Sequence, residues 1–165
     1  PATASKDEAT ALIETVSNSL SEGVELIETQ VSADHKLIFA IIESENTAFA
    51  PALTAAIGER ASVVGPDEVR LVGAELDDIK KLKKDADYLV EWDIPAEITM
   101  EQYLTRKKAN APKYAEVPEV SFLRTYVRED TAKCLCFYDA PDEDAVVRAR
   151  EAVSTPIDRL FKLHA

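Results

Sequence analysis

Two cysteines, Cys134 and Cys136, are the residues of this chain whose type and spacing most directly suggest chemistry. They lie in the strand-like run KCLCFY, where one intervening residue points both side chains to the same face of a strand. Two thiolates on one face suit a soft metal ion, so the pair is a candidate metal site. The alternative is that both are small core residues, because cysteine is among the most buried residue types.

Polar and aromatic residues occur on the same predicted strands as the cysteines. Arg124 lies between Phe122 and Tyr126, and a period of two places these three side chains on one face. An arginine among aromatic rings could anchor an anionic ligand or stack in a pocket, whereas the alternative is a packing interface. The candidate ligand-binding residues are Trp92, Arg124, Tyr126, Tyr138 and, from the N-terminal half, Glu28.

Other catalytic patterns are absent from the sequence. It contains no nucleophile elbow, P-loop or GxGxxG, and its histidines, His35 and His164, lack the spacing of zinc ligands. We therefore assign no catalytic residue. If the protein is an enzyme, the candidate titratable groups are Asp93, Tyr126, Tyr138 and Cys136.

Composition limits the partners of the chain. Its 165 residues carry a net charge of −12, from 31 acidic and 19 basic residues, which disfavours nucleic acid and anionic membranes as partners. The apolar runs are far shorter than the roughly 20 residues that span a bilayer. The Cys-x-Cys spacing does not favour a structural disulfide. Cysteine usage therefore indicates a reducing compartment, and we expect a cytoplasmic location.

An internal repeat sets the predicted architecture. Residues 24–46 align with residues 120–142 without a gap, matching Val24 with Val120 and Asp34 with Asp130. In the C-terminal half the pattern predicts a strand at 88–94, a helix after a capping box at Thr99, a hairpin at 119–138, a helix at 142–153 and a strand at 159–164. The N-terminal half predicts a helix at 7–20 after a capping box at Ser5 and Glu8, a hairpin at 24–42, a helix at 46–60 and a strand at 68–75.

This order, βαββαβ in the second copy, is the ferredoxin-like plan, so we predict an α+β fold with antiparallel sheets and two helices per repeat. We expect a first repeat at 1–76, a linker at 77–87 and a second repeat at 88–165. The two repeats would pack as a pseudo-dimer, as in dimeric α+β barrels. In that packing Glu28 would form an ion pair with Arg124.

The first repeat lacks the opening strand of this plan. Pro1 aligns with Pro95, which directly follows the opening strand of the second repeat. An interior strand cannot be left out without unpaired backbone groups. We therefore expect the matching strand either upstream of Pro1 or donated by a partner chain.

Three motifs carry a family resemblance. They are the F-x-R-x-aromatic strand at Phe122, the acidic-Ala-Pro turn at Asp139 after Cys136, and the Pro-x-Asp step at Pro156. From Tyr88 onward the chain resembles small ferredoxin-like proteins, mostly of unknown function, typified by an actinobacterial nickel-binding protein. The resemblance implies homodimers or tandem repeats, with a nickel site built on histidines near the first strand and helix. Here residues 91–112 contain no histidine, which argues against nickel as a cofactor.

Taken together, these features predict a non-enzymatic tandem ferredoxin-like protein that binds a small molecule or a protein partner. Metal binding is a lesser alternative, and a homo-oligomer is expected. Two other functions stay open: an enzyme of the dimeric α+β barrel type acting on a small molecule, and a structural subunit of a larger assembly.

Overall fold

The computed structural model of the protein describes residues 2–81 and 86–163. These residues divide into two units, one formed by residues 2–66 and 79–81 and the other by residues 67–78 and 86–163. Within the described ranges, no helix combines the length and the apolar character that crossing a bilayer requires. Two parts of the sequence predictions lie outside the described residues: His164, at the end of the strand predicted at 159–164, and residues 82–85 of the predicted linker.

The first unit consists of two helices and a hairpin. Helix α1 (Lys6–Ser19) begins at Ser5, whose hydroxyl accepts a hydrogen bond of 3.1 Å from the backbone N–H of Glu8, as the sequence predicts. Strands β1 (Glu25–Val31) and β2 (Ile38–Glu43) pair antiparallel, and α2 (Ala50–Ile57) follows. Its core is an aliphatic cluster of Leu12, Val16, Leu53 and Ile57.

The second unit holds a five-stranded antiparallel sheet. Its elements are β3 (Val69–Val72), β4 (Tyr88–Asp93), α4 (Met100–Asn110), β5 (Ser121–Arg128), β6 (Lys133–Asp139), α5 (Glu143–Ala152) and β7 (Arg159–Lys162). The strand order is β3-β5-β6-β4-β7. Four of these strands, β7-β4-β6-β5, have the order of a ferredoxin-like sheet, so the predicted plan of the C-terminal half is confirmed.

The strand predicted at 68–75 has a partner that differs from our expectation. We assigned it to the first repeat, whereas β3 pairs with β5, from Val69 opposite Arg128 to Val72 opposite Thr125. The physical reason is that β5 is the edge strand of a ferredoxin-like sheet, and a fifth strand satisfies its exposed backbone groups. The division between the units thus falls after residue 66 instead of residue 76, and a short helix, α3 (Leu76–Lys80), occupies the start of the predicted linker.

Helix α4 begins where the sequence predicts it. The Thr99 hydroxyl accepts from the N–H of Gln102 at 3.2 Å, and the Gln102 side chain accepts from the N–H of Thr99 at 2.9 Å. Such a reciprocal capping box satisfies two backbone donors that the first turn of a helix leaves unpaired. It sets the first residue of the helix that supplies Tyr103, Arg106 and Lys107 to the site described below.

Gly73 allows the chain to turn closely over an aromatic ring as it leaves β3. Its φ is +88°, and a Cβ added there would lie 2.7 Å from the Phe122 ring. That ring cannot move freely, because it stacks on Tyr114 with 5.5 Å between centroids and meets Tyr138 at 5.8 Å.

We predict that Gly73→Ala lowers the free energy of unfolding by at least about 2 kcal/mol, the sum of left-handed backbone strain and a steric overlap. Gly23→Ala is the matched control, because Gly23 has a φ of +84° with open space around its added Cβ. It should cost only the backbone strain, about 1 kcal/mol. Urea unfolding measures both values, and equal losses for the two variants would contradict the predicted overlap.

Candidate functional site

The two cysteines lie on the face of the sheet that the helices cover. Both are buried and free, and their sulfur atoms are 3.9 Å apart. On the neighbouring strands, Trp92 is opposite Cys134 and Thr125 is opposite Cys136. The Thr125 hydroxyl donates a hydrogen bond of 3.2 Å to the Cys136 sulfur. The predicted same-face arrangement of the thiols is therefore confirmed.

Arg150 enters the same region from helix α5. This helix begins at Asp142, whose carboxylate accepts from the N–H of Ala145 at 2.8 Å, and it packs Val146 and Ala149 against the sheet. Arg150 follows them on the buried side and is only 2% exposed. A charge in such a place is costly unless it is paired and hydrogen-bonded.

The partners of the Arg150 guanidinium are neutral oxygens and a sulfur. It donates to the Tyr138 hydroxyl at 3.1 Å, the Pro156 carbonyl at 2.6 Å and the Cys136 sulfur at 3.4 Å. Its Nε has no hydrogen-bond partner. Within residues 2–81 and 86–163, Arg150 forms no ion pair with a carboxylate. Two of these partners are titratable, and the Cys136 sulfur is the more acidic of them, because burial raises the pKa of Tyr138.

Aromatic rings and two more cations surround this centre. The Tyr114 and Tyr138 hydroxyls are 2.7 Å apart and hydrogen-bonded. From α4, the Arg106 guanidinium lies 5.7 Å from the Trp92 ring centroid, and the Lys107 ammonium lies 4.3 Å from the Phe122 centroid. Distances of this size are typical of cation–π contacts.

A small cavity opens between these groups. Its volume is about 30 Å³, which is room for one or two water molecules. Cations and thiols therefore line the same cavity, and none of the described residues that line it is a carboxylate. The lining residues are Trp92, Tyr103, Arg106, Lys107, Asn110, Ala111, Tyr114, Cys134, Cys136, Arg150, Val153 and Thr155.

The surroundings of the two thiols shift their pKa values in opposite directions. A hydrogen bond from the Cys134 thiol, together with the charges of Lys107 and Arg150, holds the pKa of Cys136 well below its usual range, although burial acts in the opposite direction. The same hydrogen bond raises the pKa of Cys134, and burial raises it further. Burial also raises the pKa of Tyr138. These surroundings therefore favour loss of the first proton of the pair from Cys136 over its loss from Cys134.

The residues predicted to bind a ligand do not all meet. Trp92 and Tyr138 lie on the helix-covered face with the cysteines. Arg124 and Tyr126 pack against Phe137 instead, with the guanidinium 5.0 Å and the Tyr126 ring 5.8 Å from its centroid. Because directly opposed residues share a face, these three side chains lie on the other side of the sheet.

A β-bulge causes this separation. The register of β5 against β6 shifts between Phe122 and Arg124. A bulge inserts one extra residue, so the period-two expectation that put Phe122 and Arg124 on one face is wrong. Glu28 belongs to the first unit, where it accepts a hydrogen bond of 3.0 Å from Gln30. Its ion pair with Arg124 stays a prediction.

Sequence reasoning missed Arg150 and the cations of α4. The signal for Arg150 was present, because Val146, Ala149, Arg150 and Val153 follow the helical spacing of a buried stripe. An arginine inside such a stripe indicates a charge that points toward the core. By contrast, Arg148 lies on the exposed side of the same helix and pairs with Glu119 at 3.0 Å.

A metal centre needs more ligands than this site provides. Among the residues that the structure describes, no three His, Cys, Asp or Glu side chains come together in a way that could hold a metal ion. The predicted metal site at Cys134 and Cys136 has two sulfur atoms and a neighbouring guanidinium, and it stays a prediction. His35 lies in the turn between β1 and β2, in the first unit.

We predict that Arg150→Met raises the pH at which the cysteine pair loses its first proton, because the variant removes a positive charge beside Cys136. Titration of the ultraviolet absorbance of the thiolate measures this pH. Arg148→Met removes an exposed charge from the same helix and should leave the value unchanged. Arg150→Lys, which keeps the charge, separates the electrostatic effect from repacking, and an unchanged titration in Arg150→Met would contradict the assignment.

Comparison with known proteins finds similarity to one family model and to two solved structures. Residues 88–163 match the family described as nickel responsive protein SCO4226-like. The crystal structure of SCO4226 from Streptomyces coelicolor A3(2) is 18% identical and covers 48% of this chain and 98% of that chain, with a TM-score of 0.42. The crystal structure of putative chlorite dismutase TA0507 is 15% identical and covers 96% of this chain and 83% of that chain, with a TM-score of 0.58. No curated protein matches.

The likeness to the putative chlorite dismutase concerns the fold alone. It extends over nearly the whole chain and supports the predicted α+β class with antiparallel sheets. The family match falls on the half of the chain whose motifs suggested the resemblance, from Tyr88 onward. Residues 88–163 are thus similar to the SCO4226-like family, which confirms the resemblance inferred from the sequence.

Proposed function

We propose that the second unit is a small-ligand-binding module and that its cavity takes an anion, or another electron-rich ligand, of a few atoms. The observation that carries this proposal is Arg150, a guanidinium that is 2% exposed, lines the cavity and has an unpartnered Nε. Buried arginine normally meets a carboxylate or phosphate oxygen. A bound anion would supply the missing partner.

The dimensions of the cavity restrict the ligand. A volume of about 30 Å³ accepts a ligand of the size of one or two water molecules, and drug-sized pockets are about ten times larger. The aromatic walls at Trp92, Tyr103 and Tyr114 leave little polar surface apart from the cations. Size and charge together favour small oxyanions over nucleotides or organic cofactors.

Charge distribution supports the same ligand class. The chain as a whole has a net charge of −12, which repels anions at long range. At the cavity, however, Arg106 and Lys107 add two positive charges to that of Arg150. Arg106 is exposed and Lys107 is partly buried, so these two residues stand at the solvent side. A cationic cavity in an acidic protein selects small anions that penetrate to the arginine.

We predict that formate and nitrite quench the fluorescence of Trp92 saturably, whereas citrate, which exceeds the cavity, does not. Trp92 is the only tryptophan of the chain and lines the cavity, so the emission reports this site alone. Arg150→Met should raise the Kd at least about tenfold, the effect of losing one charge-assisted hydrogen bond.

Arg148→Met is the matched control for this titration and should bind as the parent protein does. Near-ultraviolet circular dichroism verifies that both variants keep their packed core. Equal quenching by formate and citrate, or an unchanged Kd in Arg150→Met, would rule out Arg150 as the ligand-binding cation.

A second candidate is nickel binding, which the family match over residues 88–163 favours. Among the described residues, no three His, Cys, Asp or Glu side chains lie close enough together to hold a metal ion. A nickel ion would therefore need at least one ligand from elsewhere. Equilibrium dialysis against Ni²⁺ followed by elemental analysis decides this: stoichiometric nickel supports the candidate, and a content equal to the buffer control opposes it.

The remaining predictions about function are kept as proposals. The α+β fold shared with a putative chlorite dismutase is compatible with an enzyme, yet a 15% identical relative transfers no activity. A homo-oligomer, a protein partner and a strand supplied from upstream of Pro1 or by a neighbouring chain likewise stay proposals, as does the cytoplasmic location.

A further inference from the structure

The cavity that we propose as a ligand site also contains an arrangement for covalent chemistry. It is lined by two free thiols 3.9 Å apart, and by Arg150, which contacts the Cys136 sulfur at 3.4 Å. We infer that Cys136 is a peroxide-reactive thiol and that Cys134 is the thiol that condenses with it to form a disulfide. This inference goes beyond reversible binding and uses the same cavity, but it does not require that any anion binds there.

The cavity matches the oxidant in size and polarity. Hydrogen peroxide has two oxygen atoms, and the volume of about 30 Å³ holds about two water-sized groups. Its walls offer the Arg150 guanidinium as a hydrogen-bond donor, together with the apolar surfaces of Trp92 and Val153. Larger hydroperoxides would exceed this volume.

The surroundings of Cys136 favour a nucleophilic thiolate over an inert buried thiol. Structural cysteines in cores contact apolar groups, whereas reactive ones lie next to arginine, lysine or another hydrogen-bond donor. Cys136 has all of these: Arg150 from α5, Lys107 from α4, and the Thr125 hydroxyl at 3.2 Å from β5. Arg150 additionally has a free Nε that can donate to the oxidant.

The proposed reaction needs no reagent other than hydrogen peroxide. The Cys136 thiolate attacks one oxygen of hydrogen peroxide, the O–O bond breaks, and the departing hydroxide takes a proton from solvent and leaves as water. Cys136 is then a sulfenic acid. The Cys134 sulfur attacks the Cys136 sulfur, and the sulfenic oxygen leaves as water with the proton of Cys134. Two thiols are oxidised to one disulfide, and one peroxide is reduced to two waters.

The positions of the two cysteines set a condition on the second step. Their sulfur atoms are 3.9 Å apart, but residues two apart on one face of a strand have Cβ atoms about 6.6 Å from one another, beyond the roughly 4 Å that a disulfide bridges. The bond therefore requires β6 to bend between the two cysteines, so it is strained and more easily reduced than a relaxed one. The spacing that disfavours a permanent structural disulfide therefore suits a reversible one.

The experiment treats the folded, reduced chain with hydrogen peroxide and follows it by intact mass and peptide mass spectrometry. We expect the loss of two hydrogen atoms, with a bond between Cys134 and Cys136. In Cys134→Ser the reaction should stop at the sulfenic acid of Cys136. A cyclic diketone, which reacts with sulfenic acids, should then label Cys136 alone. Cys136→Ser should leave Cys134 reduced under the same conditions.

Arg150→Met is expected to slow the oxidation at least about tenfold, because the thiolate population falls tenfold for each unit of pKa. Arg148→Met serves as its control and should react at the parent rate. A further comparison needs no variant: the folded chain should react faster than the chain unfolded in urea, since only the fold brings Arg150 to Cys136.

Three results would overturn the inference: oxidation only after unfolding, labelling of Cys134 in preference to Cys136, or equal rates in the two arginine variants. These failures are distinct from those of ligand binding, which is measured in reducing buffer by Trp92 fluorescence. Anion binding without oxidation would retain the proposed function alone, and oxidation without anion binding would retain this inference alone.

Discussion

The buried charge of Arg150 is the constraint around which the second unit is arranged. Moving a guanidinium out of water costs on the order of several kcal/mol, and that cost is offset here by hydrogen bonds to Tyr138, Pro156 and the Cys136 sulfur instead of by a carboxylate. Because the Tyr138 hydroxyl also bonds to Tyr114, the charge is tied to the helical segment that follows α4. The strands, both helices and the aromatic rings therefore share one polar centre inside an apolar layer.

This arrangement explains why the site is cationic in an acidic chain. The net charge of −12 comes from surface carboxylates, whereas α4 carries basic residues in its last turn and delivers Arg106 and Lys107 beside the cavity. Basic residues near a helix C-terminus are favourable for the helix itself, because they interact with its dipole. Lys107 thus stabilises α4 and, together with Arg150 and the hydrogen bond from Cys134, lowers the pKa of Cys136.

The two faces of the second sheet serve different purposes, and the β-bulge in β5 decides which residue belongs to which face. Phe122 joins the aromatic rings beside the cavity, while Arg124 and Tyr126 pack on Phe137 on the opposite face. Arg124 and Tyr126 are buried there, with 3% and 2% of their surface exposed.

The sequence by itself determined the local structure of this protein, because local structure depends on neighbours along the chain. The capping residues Ser5 and Thr99, the alternation in the hairpins and the order of the C-terminal elements were all predictable, and with them the ferredoxin-like plan. The same-face position of Cys134 and Cys136 also followed from the pleat of a strand.

Only the tertiary structure decided three other features. The partner of β3 depends on which strand edge is free, and the short sequence of β3 does not contain that information. The bulge between Phe122 and Arg124 is not visible in the alternation of side-chain types along the sequence. It nevertheless moves the residues before it in β5 to the opposite face of the sheet. The contact of Arg150 with Cys136 joins residues from a helix and a strand, and its electrostatic effect exists only because folding removes both groups from water.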